Sequence, residues 1–378
     1  MEAVSMDDVI RKVVMPKWGL SMTSGKVTEW VAEEGAEVAD GDDLAEIDTD
    51  KIAGALESAD EGVLRRIIAR VGEDVPVGGT IALIAPADVP ESDIDEAART
   101  AREELDSGAV EEVAGPVTGA FDVEGGSIAY ATLGEGTETV VLVHGYGGDK
   151  NSWLFVQEPL SRNRTVHALD LPGHGESGKD VGDGSLAVLA RAVLGFLEAA
   201  GTGKAHLVGH SLGGAVIAAA AAAEPERVAS LTLVAPAGIG TSINADYLRG
   251  FAAATSRREL KPHLGALFAD PTLATRQLAD DLMKYKRIDG VDKALNALLA
   301  SLLDGDDQAI DITATLSSLS EVEVPVGIVW GSRDAIIPLA NADGRSDVTV
   351  VEDAGHMVHM EQPGAVVSAI EEAVTPRR

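Results

Sequence analysis

The stretch AHLVGHSLGGAVIAAAAAA, residues 205–223, constrains the fold more than any other part of this chain. A short apolar run comes first, then Gly209-His210-Ser211-Leu212-Gly213, then a run of alanines with a few larger apolar residues. The first run suits a buried strand, and alanine is the strongest helix former. G-x-S-x-G between a strand and a helix is a sharp turn that lifts its serine above a sheet. Glycines at 209 and 213 leave room where such a turn brings chain segments close. The alanine run is too short to span a bilayer.

The surrounding sequence repeats this alternation. From about residue 119, GSIAYATLG, TVVLVHG, HALDLPGHG, SLTLVAP, VPVGIVWG and DVTVVED read as strands, and DGSLAVLARAVLGFLEAAG has helical spacing. Strands alternating with helices predict a mainly parallel sheet. Residues 238 to about 313 interrupt the pattern with helical segments placed before the last two strands, where an insertion would serve as a lid.

A nucleophilic serine needs a base, an acid and oxyanion donors. In G-x-S-x-G sites the order along the chain is Ser, acid, His. After Ser211 only His263, His356 and His359 remain. His263 falls in the expected lid. His356 follows a strand in AGHMVHMEQP and is the expected base, with His359 as its competitor. Asp334, just after the strand VPVGIVWG, is the expected acid, ahead of Asp311 and Asp343. The backbone N–H of Leu212 is one expected oxyanion donor, and that of Tyr146, in HGYGG after TVVLV, is the other. His144, His174 and His210 precede the nucleophile and read as structural residues of their loops.

HGYGG, DLPGHGESG, VGHSLGG, GSRDAIIP and AGHMVHMEQP stand in the order of the α/β-hydrolase family, which residues 120–376 resemble. That resemblance implies the fold and the triad. It does not choose among esterases, hydrolases and acyltransferases.

The first 85 residues differ. Short β-like runs alternate with the turn signals EEG, DGD, ADEG and VGED, which predicts a small all-β unit. Lys51 stands in DTDKI between two such runs. Its amine could carry an acyl group in amide linkage; an ordinary solvated hairpin would look the same. Residues 11–85 resemble the lipoyl domain of 2-oxoacid and acetoin dehydrogenase complexes, through MPKWGLSMTSGKVTEWVAEEGAEVADGDDLAEIDTDKI and ADEGVLRRIIARVGEDVPVGGTIALI. Asp50 completes the DK doublet, and Gly35 and Gly62 stand at the family's spacing about Lys51. Biotin carriers usually flank their lysine with methionine, whereas Asp50 and Ile52 flank this one. The resemblance implies a flattened barrel of two small sheets, with (R)-lipoate covalently attached to Lys51.

Between the two, residues 86–118 are acid-rich and poor in large apolar groups, which predicts an extended linker. ESDIDEAARTAREELDS within it could form a helix anchored by Ile94, Ala98 and Leu105. The expected organisation is a lipoyl domain at 1–85, an acidic linker at 86–118 and an α/β-hydrolase-fold domain at 119–378, with its lid at about 238–313.

Cysteine is absent, so disulfides, thiol catalysis and cysteine-based zinc sites are excluded. No metal is expected. The formal charge of −32 argues against nucleic acid as a partner. The amino terminus lacks an apolar signal core, and a cytoplasmic protein without membrane attachment is expected.

As a whole the chain resembles the dihydrolipoyllysine acetyltransferase (E2) components of acetoin dehydrogenase complexes. The resemblance implies transfer of acetyl from the lipoyl arm to coenzyme A. It also implies two partners, a thiamine-diphosphate-dependent acetoin dehydrogenase component and dihydrolipoamide dehydrogenase; a homo-oligomer is left open. Two alternatives use the same residues: a serine esterase or thioesterase with a lipoyl domain serving another purpose, and a non-catalytic lipoyl carrier. The chain lacks the HxxxDG signature of ordinary 2-oxoacid E2 chains and a clear subunit-binding domain. Lys261, Lys284, Lys286 and Arg287 are local basic features that could meet coenzyme A phosphates, or simply solvate a helix face.

Overall fold

A computed structural model of the chain describes residues 9–16, 22–39, 41–49, 53–108 and 115–374. The chain divides into two compact units, Met1–Gly115 and Pro116–Arg378.

The described strands of the first unit are β1 (Arg11–Val14), β2 (Ser24–Trp30), β3 (Glu37–Val38), β4 (Asp43–Asp48), β5 (Ala53–Glu57), β6 (Gly62–Ile67), β7 (Asp74–Pro76) and β8 (Thr80–Ala85). They form two four-stranded sheets, β1-β8-β6-β3 and β5-β4-β2-β7. Every pairing among these described strands is antiparallel, and only β4 and β5 pair as chain neighbours. Val38, Leu44, Leu64, Ala82 and Ile84 make one shared core. This is the flattened barrel the lipoyl resemblance implied.

TIALIA, the β8 sequence, is buried at all six positions. A strand in a small barrel normally shows one face to water and alternates. β8 does not alternate because its outer face is covered. Helix α1 (Glu91–Ser107) lies on it and buries Ile94 and Ala101 against Ile68, Leu83 and Ala85. Ion pairs rim the contact: Arg65 to Glu91 at 2.9 Å, Arg66 to Asp95 at 2.8 Å, and Arg102 to Glu73 at 2.7 Å. Exposed pairs of this kind are each worth about 1 kcal/mol at most, so apolar burial does most of the holding. The stretch read from sequence as an extended linker therefore begins with an ordered helix docked on the first unit.

The second unit is built on one eight-stranded sheet. Its strands are β9 (Val117–Val123), β10 (Gly126–Leu133), β11 (Thr139–Val143), β12 (Thr165–Leu169), β13 (Ala205–His210), β14 (Val228–Val234), β17 (Val326–Gly331) and β18 (Val348–Val351), with the short pair β15 (Leu303–Asp304) and β16 (Asp307–Gln308) between β14 and β17. The order is β18-β17-β14-β13-β11-β12-β10-β9. β10 pairs antiparallel with both β9 and β12; the other pairings in the sheet are parallel.

Alternate residues of β11 serve opposite layers. Val141 and Val143 join the core formed with α3 (Leu186–Ala199) and α4 (Leu212–Ala223). Val140 and Leu142 join the core formed with Trp153 and α2 (Leu154–Leu160) on the other face. Covered on both faces, the central strands read as continuous apolar runs. Between β14 and β17 stand α5 (Ala245–Ala253), α6 (Arg257–Leu264), α7 (Arg276–Lys286), α8 (Val291–Leu302) and α9 (Thr313–Glu321). These are the inserted helices that were expected, although the last of them runs past residue 313, where the insertion was expected to end. The chain ends with α10 (Val358–Glu361) and α11 (Pro363–Val374). Among the described residues, no helix is long and apolar enough to cross a membrane.

Candidate active site

In a parallel sheet, loops at the carboxyl ends of the strands face a common crevice. Ser211 follows β13, HGYGG follows β11, Asp334 follows β17 and His356 follows β18. The topology alone thus gathers these residues at one end of the sheet.

Ser211 sits at the turn with φ 54° and ψ −120°, a conformation that side chains rarely adopt. The surrounding chain enforces it. The Ser211 amide donates to Val234 O at 2.9 Å, and its carbonyl accepts from Ala237 N at 3.0 Å. A Cβ on Gly209 would lie 2.5 Å from Gly213 O, and one on Gly213 would lie 2.3 Å from Val143 O. Only glycine fits at either place.

His356 and Asp334 form a pair. Nδ1 of His356 donates to Oδ2 of Asp334 at 2.8 Å, and both side chains are buried. The other oxygen, Oδ1, accepts from the amides of Ile336 at 2.8 Å and Ile337 at 2.9 Å. With Nδ1 protonated, Nε2 of His356 keeps a lone pair for a proton. The rejected alternatives have other work. Asp311 accepts from the Thr313 amide at an exposed position. His359 is fully buried between the rings of Trp153 and His210. His263 belongs to α6 in the insertion.

His210 brings serine and histidine together. Its Nε2 donates to the carbonyl of His356 at 2.9 Å, and the two rings are 4.6 Å apart. The loop after β11 closes the third side: a Cβ on Gly145 would fall 2.9 Å from Cβ of Ser211. In that loop Gly147 N donates to His174 Nε2 at 3.0 Å and Gly148 N to Gly145 O at 3.1 Å, while the Tyr146 amide has no partner among the described hydrogen bonds. Leu212 is the first residue of α4, so its amide has no intrahelical acceptor. Neither amide expected as an oxyanion donor is thus spent on an acceptor among the described hydrogen bonds.

His144 and His174 are held neutral. Each donates from Nδ1 to a carbonyl, Gly145 O and Pro172 O, and accepts at Nε2 from an amide, Leu171 N and Gly147 N. Burial lowers the pKa of both, that of His174 to about 3. They brace loops, as their place before the nucleophile suggested.

Sequence reasoning missed the buried ion pair beneath these loops. Lys150 Nζ meets Asp170 Oδ2 at 2.8 Å and Glu176 Oε2 at 2.7 Å. Asp170 also accepts from the amides of Lys150 and Glu176. Burial pushes the Asp170 carboxyl up, but the Lys150 ammonium and the Glu176 amide outweigh it and hold the group below its ordinary range. Twenty residues separate Lys150 from Asp170, and no local pattern links them.

The basic features named from sequence are partly spent. Lys284 pairs with Asp281 at 2.8 Å. Lys286 donates to the carbonyls of Phe251 and Ala252 near the end of α5 and lies 5.0 Å from the Phe251 ring centre. Lys286 is thus held by backbone carbonyls, whereas Lys284 makes only an exposed surface pair.

Lys51 lies outside the described residues. On either side of it in the sequence, β4 and β5 pair as far as Asp48 opposite Ala53. Among the described residues, no group of three His, Asp or Glu side chains is placed to hold a metal.

Known proteins share this layout. A family model described as alpha/beta hydrolase fold matches residues 138–363, and one described as a biotin-requiring enzyme matches residues 11–84. A dihydrolipoyllysine-residue acetyltransferase component of the acetoin cleaving system from Pseudomonas putida is 45% identical over 356 residues, 93% of this chain and 95% of that protein. Its counterpart from Cupriavidus necator is 43% identical, over 95% of this chain and 96% of the relative. Among solved structures, a bacterial membrane phospholipase A is 26% identical with a TM-score of 0.58, covering 69% of this chain and 87% of its own. That likeness is to the second unit's fold. With both units matched and nearly the full length shared at more than 40% identity, the chain belongs to the family of dihydrolipoyllysine-residue acetyltransferase components of acetoin cleaving systems.

Proposed function

We propose that the chain moves an acetyl group from a lipoyl arm on Lys51 to coenzyme A through Ser211, His356 and Asp334, in the cleavage of acetoin. The supporting observation is the pairing of His356 Nδ1 with Asp334 Oδ2 beside a strained Ser211, in a chain that also carries a lipoyl-type unit.

Lipoate supplies the sulfur that this cysteine-free chain lacks and presents acetyl as a thioester. Ser211 Oγ attacks the thioester carbonyl while His356 Nε2 takes its proton. The amides of Tyr146 and Leu212 hold the developing oxyanion, and Asp334 stabilises the imidazolium. The C–S bond breaks, His356 returns the proton to the departing sulfur, and acetyl remains on Ser211. The coenzyme A thiol then gives its proton to His356 and attacks the acetyl-serine. Its C–O bond breaks and Ser211 recovers the proton.

The proposed reaction calls for two partners, which load and reoxidise the arm. An enzyme that cleaves acetoin with thiamine diphosphate loads the arm, and a dihydrolipoamide dehydrogenase reoxidises it. Supplying acetyl-dihydrolipoamide with and without coenzyme A tests the reading. Acetyl-CoA as the main product, lost in Ser211→Ala, supports it; free acetate formed equally with or without coenzyme A shows a hydrolase instead.

A further inference from the structure

The triad does not account for Glu361. This residue ends α10, half-buried, with no ion-pair partner among the described residues. Its two carboxylate oxygens are nonetheless engaged. Oε2 accepts from the Gly355 amide at 2.7 Å, and Oε1 accepts from the Ala269 amide at 2.7 Å. Gly355 immediately precedes His356. Ala269 belongs to the helical insertion, between two short helical turns at Gly265–Leu267 and Pro271–Leu273. One side chain therefore joins the loop that carries the base to a segment nearly ninety residues away.

Two further contacts reinforce the junction. The Met357 amide, just after His356, donates to Leu267 O at 3.1 Å. A Cβ on Gly355 would lie 2.5 Å from Ala269 N and 2.7 Å from the Phe268 carbonyl carbon, so the two backbones touch. His356 is thus bracketed by Met357, bonded to Leu267, and by Gly355, whose backbone lies against Phe268 and Ala269. The same insertion reaches the oxyanion loop, where Tyr146 Oη donates to Leu295 O of α8 at 3.1 Å.

A half-buried carboxylate with no cation beside it depends on its amide donors. Burial and the nearby Asp334 push the Glu361 carboxyl up, and the amides of Gly355, Ala269 and Asp270 pull it back. Hydrogen bonds to a charged acceptor are the strong kind, and they are lost together if the two segments part.

We propose that Glu361 is a positioning residue that makes the alignment of His356 conditional on the seating of segment 267–269 of the insertion. The proposal rests on His356 being the base. When the segment lifts, one carboxylate releases the Ala269 amide, and the Gly355–His356 peptide loses the frame that aims Nε2 at Ser211. Lifting of this segment would then also disarm the base, so a site in that state would not pass acetyl to water.

The test uses E361Q in the full-length lipoylated protein. Glutamine keeps one oxygen acceptor and turns an NH₂ group toward the other amide. The expected result is a kcat for transfer to coenzyme A reduced about tenfold to a hundredfold per folded site, with KM for acetyl-dihydrolipoamide changed by less than about threefold. Amide hydrogen exchange at 265–273 is expected to quicken. In an Asp334→Asn background, E361Q is expected to add less than about threefold, because both changes act through one imidazole. A wild-type kcat in folded E361Q overturns the proposal, and so does a full multiplicative loss in the double variant. Should E361Q fold poorly, E361D keeps the charge but not the reach, and the same kcat and exchange readouts decide. Failure of the base assignment itself is separately visible: Asp334→Asn alone would then leave transfer intact.

Discussion

His210 Nε2 donates to the backbone carbonyl of His356 across 2.9 Å, so the residue before the proposed nucleophile holds the residue proposed as its base. The bond runs between neighbours of the reacting atoms, leaving Nε2 of His356 and Oγ of Ser211 outside it. Alignment is thus built into backbone and supporting side chains before any substrate arrives.

Asp334→Asn is expected to lower acetyl transfer by about four orders of magnitude while the fold persists. Asparagine can still accept the Ile336 and Ile337 amides through its oxygen. Its NH₂ then faces Nδ1 of His356 and favours the wrong tautomer. Single-turnover transfer to coenzyme A measures the loss, and a reduction below tenfold would remove Asp334 from the site.

Gly213→Ala is expected to destabilise the second unit by roughly 1–3 kcal/mol and to displace Ser211. The added methyl would lie 2.3 Å from Val143 O and 2.5 Å from His144 O, both backbone atoms that cannot swing aside. Urea midpoints report the first effect. Labelling of Ser211 by a fluorophosphonate reports the second, and normal labelling would contradict the close approach.

Lys150→Met is expected to cost roughly 3–5 kcal/mol, because it leaves the fully buried Asp170 without its cation. Glu176, the other partner, is exposed and should add little. Glu176→Gln is the matched control, expected within about 1 kcal/mol of the parent in urea unfolding.

Acid should weaken the second unit beginning near neutral pH. Burial lowers the pKa of His144, His167, His174, His210 and His359, with His167 at about 4 and His174 and His359 at about 3. Below the ordinary histidine pKa the unfolded chain binds protons that the folded one refuses. Each such group therefore removes about 1.4 kcal/mol per pH unit, from near 6.5 down to its folded value. Glu361 and Asp149, both raised by burial, act in the opposite sense at lower pH. A urea midpoint flat between pH 7 and pH 5 would contradict these histidines being neutral.

What the sequence revealed and what it hid divide by the distance between partners. The turn at Ser211, its strand and its helix lie within twenty residues and were readable together. Asp334 and His356 were readable because each follows an apolar strand. The docking of α1 was less visible: its few apolar residues looked too sparse for a partner. The signal lay in TIALIA, whose lack of alternation meant both faces of β8 were covered. Glu361 and the Lys150–Asp170 pair left no local trace, because each exists only once distant loops meet. The engagement of Lys286 by the Phe251 and Ala252 carbonyls was hidden for the same reason, whereas Lys284 pairs with Asp281 only three residues away.

The positive φ at Ser211 has an evolutionary corollary. Glycine would occupy that corner with less conformational penalty, so Ser211→Gly should melt later than the parent although it could no longer form the proposed acyl-enzyme. Sturdiness and reactivity are opposed at a single codon. On that reading, a chain freed from turning over acetyl would gain stability by losing its hydroxyl at this corner.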